Sequence, residues 1–207
     1  MVAPDKSNQI LLVEGNDDKH VILALCKQNH IDETFEVIDC DGVDNLIEQI
    51  GVRFKTSGIK TVGLIADADE SLLRRWESIK NVLIGIGFVI PDNIPDNGLI
   101  AEHAGKKAGV WIMPDNRVNG MLEDFISFLI PEEDALLPIV HSTLENIESG
   151  GLNRYSLNHH AKASIHTWLA WQSDPGTPLG LSITKRYLTT DVETCNKLLN
   201  WLRRLFN

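Results

Sequence analysis

Along the first half of the chain, short continuous apolar runs alternate with stretches whose apolar residues recur at helical spacing. Residues 9–13, 35–39 and 61–66 read as strands, the third apolar enough to be covered on both faces. The helical pattern follows each of them. Val21, Ile22, Leu25 and Cys26 share a stripe in residues 17–28, and Val43, Leu46, Ile47, Ile50 and Phe54 do so in residues 43–54. Residues 70–84 open with Glu70 and Ser71, as a helix N-terminus prefers. Three strand–helix pairs in series predict a parallel sheet with right-handed crossovers.

Beyond residue 90 the pattern loosens. Residues 91–98, dense in Pro, Asp, Asn and Gly, predict an exposed loop. Residues 109–113 predict a fourth strand ending at Pro114-Asp115-Asn116, and 120–129 a helix that Pro131 stops. No strand is expected after that. Residues 132–148, 158–172 and 191–206 each carry helical periodicity, separated by Ser149-Gly150-Gly151 and by the turn-forming segment 173–178. Trp168 and Trp171, at i and i+3, are expected to form a packing seam. The predicted organisation is an α/β unit over residues 1–130, a Rossmann-like parallel sheet flanked by helices, with an α-helical C-terminal extension over 131–207 packed on it.

Composition narrows the setting. The 207 residues are 43% hydrophobic, but the longest apolar stretches fall far short of the ~20 residues a spanning helix needs, so no membrane association is expected. Met1 to Lys6 contain no apolar segment of the kind a secretory signal requires. Cys26, Cys40 and Cys195 are odd in number and outside any CxxC pattern, which argues against a disulfide framework and against zinc. A cytoplasmic location is the expectation. The formal charge of −10 weighs against an electrostatic grip on nucleic acid, although Lys and Arg are partly grouped, as at Lys106/Lys107 and Arg203/Arg204.

The chemistry lies in two acidic clusters. Glu14-Gly15-Asn16-Asp17-Asp18 follows the first strand and Asp67-Ala68-Asp69 the third. Carboxylates at the ends of neighbouring parallel strands converge where open α/β sheets bind ligands, and Mg²⁺ or Mn²⁺ is the cation such oxygens suit. Asp67 and Asp69, two apart, point to the same side while the chain stays extended, and Gly15 allows a sharp turn beside Glu14. The structural alternative is that Asp17 and Asp67 merely cap the helices that follow. His159, His160 and His166 read as core or surface histidines, because no carboxylate or cysteine accompanies them at ligand spacing.

The order and spacing of Val13-Glu14-Gly15-x-x-Asp18 and Asp67-x-Asp69, each after a strand, resemble the Toprim domain of topoisomerases, primases and OLD-family nucleases over roughly residues 8–125. Gly120-Met121-Leu122-Glu123 is similar to the Gly-x-Leu-Glu motif of OLD-type nucleases. The whole chain most resembles a family of short bacterial Toprim-like proteins, whose helical tail carries a segment like Lys162-Ala163-Ser164-Ile165-His166-Thr167-Trp168. The resemblance implies a Toprim fold and Mg²⁺- or Mn²⁺-dependent hydrolysis of DNA or RNA phosphodiesters. It implies that Glu14 is a metal ligand or the general acid/base, that Asp67 and Asp69 are ligands, and that Asp18 supports them or a second ion. Glu123, with Asp115, would complete a second metal position, and Lys162 would stabilise phosphate charge.

Departures exclude the larger relatives' activities. Tyr155 and Tyr187 are the only tyrosines in a chain too short for strand passage, the cysteines offer a primase no zinc site, and no GxxxxGK[ST] loop is present. Any ATP hydrolysis would come from a partner. There is no GxSxG elbow for a serine hydrolase. Two other classes stay open: a non-enzymatic Toprim-like module that binds a metal, a nucleotide or a protein partner, as in a phage-defence or toxin system, and a receiver-like phosphoacceptor domain. An apolar face left free on the tail would make a homodimer.

Overall fold

The structure, a computed structural model, describes residues 8–207, so the expectation for Met1 to Lys6 lies outside the described residues. The elements run β1 (Gln9–Val13), α1 (Asn16–Gln28), β2 (Glu36–Asp39), α2 (Val43–Lys55), β3 (Thr61–Asp67), α3 (Leu72–Ile86), β4 (Leu99–His103), β5 (Lys106–Met113), α4 (Leu122–Ser127), α5 (Leu137–Ser149), α6 (His160–Ala170), α7 (Leu179–Thr184) and α8 (Glu193–Phe206). The five strands lie in the order β2-β1-β3-β5-β4, parallel except for β4, which is antiparallel to β5. The chain is an α/β protein with a mostly parallel sheet flanked by helices and a helical C-terminal extension. Its strand order reverses between β1 and β3, which makes their carboxyl ends the switch point of the sheet.

Strand periodicity divides the core in two. Ile10, Leu12, Val62, Leu64, Ala66, Val110 and Ile112 face α2 and α3, while Leu11, Val13, Ile65, Trp111 and Met113 face the remaining helices. On that second face Gly63 and Gly109 are register partners that leave the sheet bare, and α8 lies against it. A Cβ at Gly109 would stand 2.4 Å from Leu205 Cδ2, and one at Gly63 2.9 Å from both Leu205 and Phe206. The Trp201 indole N–H donates to the Leu99 carbonyl (2.9 Å), tying α8 to the edge strand β4.

Several elements differ from expectation. Helix α3 begins at Leu72, because the Ser71 hydroxyl accepts the Arg74 N–H and caps it there. The fourth expected strand is longer, starting at Lys106, and forms a hairpin with the unanticipated β4 through Ala104 and Gly105, both at positive φ. Helix α5 starts later than expected, at Leu137, where Asp134 Oδ1 accepts the N–H groups of Leu136 and Leu137. Helix α7 was not anticipated. The tryptophan seam is half formed: Trp168 is buried and donates to Asp134 Oδ1 (3.1 Å), but Trp171 is 41% exposed. Among the described residues no helix is long and apolar enough to cross a membrane.

Candidate functional site

Glu14 leaves β1 and Asp67 ends β3, and the two meet at the switch point: Glu14 Oε2 accepts the Asp67 backbone N–H at 3.2 Å. Asp18, in the first turn of α1, turns back so that its Oδ2 accepts the Gly15 N–H (3.1 Å) and is 6% exposed. Gly15 is ordinary extended backbone (φ −143°, ψ 179°), so the sharp turn expected there is absent and any residue could adopt its conformation. Neither Asp17 nor Asp67 caps a helix; Gly15 and Ser71 stand at the two N-cap positions.

Asp69 does not continue the strand. It adopts φ +50°, which Asp tolerates, and exchanges two backbone hydrogen bonds with Gly120 (2.8 and 3.0 Å). Its carboxylate therefore departs from the direction of Asp67 and meets Arg75 at 2.7 Å, while Arg75 Nε also donates to the Asp67 carbonyl (2.6 Å). Gly120 is required at this bridge: its φ is +142°, and a Cβ would stand 2.7 Å from Asp124 Oδ2. The bridge delivers the start of α4, where Glu123 is 4% exposed and Lys162 from α6 reaches its Oε1 at 3.3 Å. Asp124, not Glu123, supplies the helix-terminal acceptor, taking the Met121 N–H at 2.8 Å.

Four of the six expected ligands thus converge, and their charges are felt by one another. Burial first, then the Glu14 charge, pushes the Asp18 carboxyl up to about 7. Burial, followed by Asp18, Glu14, Asp69 and Glu123, raises Asp67 well above the usual carboxylate range. Glu14 is raised by burial, with the Asp67 N–H and Arg75 opposing. Asp69 stands at the rim on Arg75. Asp115 is not brought in, because its Oδ1 accepts the N–H groups of Arg117 and Val118 (2.9 and 3.1 Å) and closes a local turn.

Asp18 Oδ1 and Asp67 Oδ1 are buried without a hydrogen-bond partner, a condition shared among the described residues only by Trp111 Nε1. An all-carboxylate set with free oxygens suits a hard divalent cation. Among the described residues, however, no three His, Cys, Asp or Glu side chains are grouped so as to hold an ion as they stand. Binding one would need side-chain rotation and exchange of the Lys162 and Arg75 contacts.

A cleft of about 790 Å³ adjoins the acids, walled by the loop after β3, by residues 119–121 and by the start of α6. Arg74, Arg75, His159 and His160 line it together with Asp69 and Asp124. Asn119 fixes the loop by accepting the Leu72 N–H (2.9 Å) and donating to the Glu70 carbonyl (2.8 Å), and Asn158 donates to the Glu70 carboxylate. Arg75 is not singled out by the sequence and His160 reads there only as a core or surface histidine, since their partners lie on the preceding loop and on another helix. A basic pair in the first turns of the helix after Asp67-x-Asp69 was the available signal for Arg75.

The pH behaviour follows from Asp18. Its raised folded-state value means the native protein keeps a proton that the unfolded chain releases, so the stability from this group is full below about 4 and is lost as pH rises through about 7. In metal-free protein, Asp18→Asn is expected to raise the melting temperature by roughly 5–10 °C at pH 8 and to leave it unchanged near pH 4. Thermal melts in chelator at the two pH values check this.

The chain is thus an open, mostly parallel α/β protein of Rossmann-like arrangement, with carboxylates gathered at its switch point beside a partly basic cleft. More particularly, the chain belongs to the family described as "Protein of unknown function (DUF3226)", whose model matches residues 8–207. Neither a curated protein nor a solved structure matches it.

Proposed function

We propose that the protein is a Toprim-type nuclease that hydrolyses phosphodiester bonds of DNA or RNA with Mg²⁺ or Mn²⁺. The observation that carries this reading is the meeting of Glu14, Asp18, Asp67 and Glu123 from two strand ends and two helices, with two buried carboxylate oxygens left unpaired. The order and strand context of these acids are those of the Toprim resemblance. Of the two roles the resemblance allows Glu14, this reading takes the general base, so that Asp18, Asp67 and Glu123 would hold the metal, with Asp69 joining on release from Arg75. A bound divalent ion would supply charge neutralisation at the phosphate and an acidified water.

The protein's own groups account for the rest. Arg74 and Arg75 line the cleft and would hold the substrate's phosphates by charge-assisted hydrogen bonds. Lys162, already on Glu123, would move to phosphate charge when a cation replaces it. Glu14, with its pKa raised by burial, is suited to take a proton from an attacking water. A cytoplasmic location belongs to the same proposal and agrees with three buried free thiols.

A second reading, a non-enzymatic module that binds a nucleotide or a protein partner, is favoured by one observation: Lys162 and Arg75 already neutralise Glu123 and Asp69. The deciding experiment is incubation of supercoiled plasmid, linear duplex, single-stranded DNA and structured RNA with Mg²⁺ or Mn²⁺, beside Glu14→Gln. Metal-dependent cleavage that drops at least a hundredfold in the variant supports the nuclease. Absence of cleavage on every polymer, with metal uptake seen by calorimetry, supports the module.

A further inference from the structure

On the C-terminal extension, lining the same cleft as Asp69, lies a second ionisable group that the metal chemistry does not use. His160 opens α6 and lines the cleft, and its Nδ1 stands 2.7 Å from Glu148 Oε1 at the end of α5. Tyr155 donates its hydroxyl proton to the same oxygen at 2.8 Å. Glu148 is acceptor-only when ionised, and the His160 hydrogen bond, then that of Tyr155, lowers its pKa and keeps it so. The proton of the pair is therefore on Nδ1. Nε2 is the nitrogen left to take up a second proton and exchange it with a ligand in the cleft. Asp124, which also lines the cleft, feels the His160 charge.

Three features separate this from a surface histidine. Its tautomer is set by a carboxylate, that carboxylate is itself fixed by a tyrosine, and the ring borders the same cleft as Asp69. A carboxylate–imidazole pair held this way presents a fixed ring nitrogen to whatever occupies the cleft.

Resting on the nuclease reading, we infer that His160, positioned by Glu148, is the general acid that protonates the leaving oxygen of the cleaved phosphodiester. Water oxygen bonds to phosphorus and loses its proton to the Glu14 carboxylate. The bond from phosphorus to the leaving oxygen breaks with its electron pair, and His160, which enters the step as the imidazolium with its Nδ1–H held on Glu148, passes its second proton from Nε2 to that oxygen. Solvent then returns a proton to His160 and removes one from Glu14, restoring both groups. His160 is the catalytic residue in this step and Glu148 a positioning residue.

The test compares two oligonucleotides in Mn²⁺, identical except that one carries sulfur in place of the bridging oxygen on the leaving side, as located from the wild-type product ends. A thiolate leaves without protonation. His160→Gln is expected to slow cleavage of the oxygen substrate about a hundredfold, and of the sulfur substrate by no more than about threefold. Glu148→Gln should show the same dependence at about tenfold, because its amide no longer enforces the proton on Nδ1. Retained activity on sulfur also shows that the variants fold. Equal losses on both substrates, or none on either, would overturn the role of His160 while leaving the nuclease in place. A wild-type protein that cleaves neither substrate overturns the nuclease reading, and this inference with it.

Discussion

On the proposed nuclease reading, Asp67→Asn is expected to abolish metal-dependent cleavage, by about a thousandfold or more, while on any reading it makes the metal-free protein more stable at alkaline pH. The loss corresponds to roughly 4 kcal/mol of transition-state stabilisation, in the range a metal's charge supplies to a phosphoryl oxygen. The gain has a separate cause. Asp67 is buried among Asp18, Glu14, Asp69 and Glu123, which raise its pKa well above the usual range, and its Oδ1 has no donor. Its ionisation thus withdraws stability as pH rises through the folded-state value, and an amide at this position does not ionise. Melts at pH 8.5 with chelator should place Asp67→Asn above wild type, whereas at pH 4 the two should coincide. A variant inactive and also less stable at pH 8.5 would mean that Asp67 holds the fold together instead of straining it.

Gly109→Val is expected to destabilise the protein by about 3 kcal/mol and to lower its melting temperature by roughly 6–12 °C. The first added carbon alone falls 2.4 Å from Leu205 Cδ2 and 2.8 Å from Cδ1, and Leu205 is itself 1% exposed. Leu205 can yield only by pushing α8 from the sheet, and its neighbour Gly63 offers no slack because a Cβ there meets the same side chain. The paired variant Gly109→Val/Leu205→Ala should recover part of the loss. Calorimetric or chemical denaturation of the two measures the coupling.

How far this was legible from sequence depended on whether a signal was local. Strands β1 to β3 and helices α1 to α3 could be read because each is a contiguous run with a clean period, and Glu14, Asp18 and Asp67 follow from standing next to those runs. Strand β4 escaped because Leu99–His103 carries exposed residues on a sheet edge and its turn is Ala104-Gly105, not an Asn-Gly pair. Helix α7 has only six residues, too few for a period to declare itself. Asp69 was read as extended beside Asp67, but the backbone exchange with Gly120, fifty-one residues away in sequence, rotates it onto Arg75. Asp115 joins the acids only through the resemblance, and its turn consumes it locally. His160 was assigned to core or surface because its carboxylate lies on a different helix, twelve residues back.

The seat of α8 also orders events during synthesis. Gln9 at the start of β1 donates its side-chain amide to the carbonyl of Phe206, a contact across 197 residues, and Thr34 donates to the same carbonyl. All five strands leave the ribosome before the helix that covers one of their faces. Until residues 193–206 follow, the groove over Gly63 and Gly109 is open apolar surface, which is where chaperones bind and chains stick to one another. Cleavage before Glu193 would accordingly leave all five strands with one face uncovered over Gly63 and Gly109.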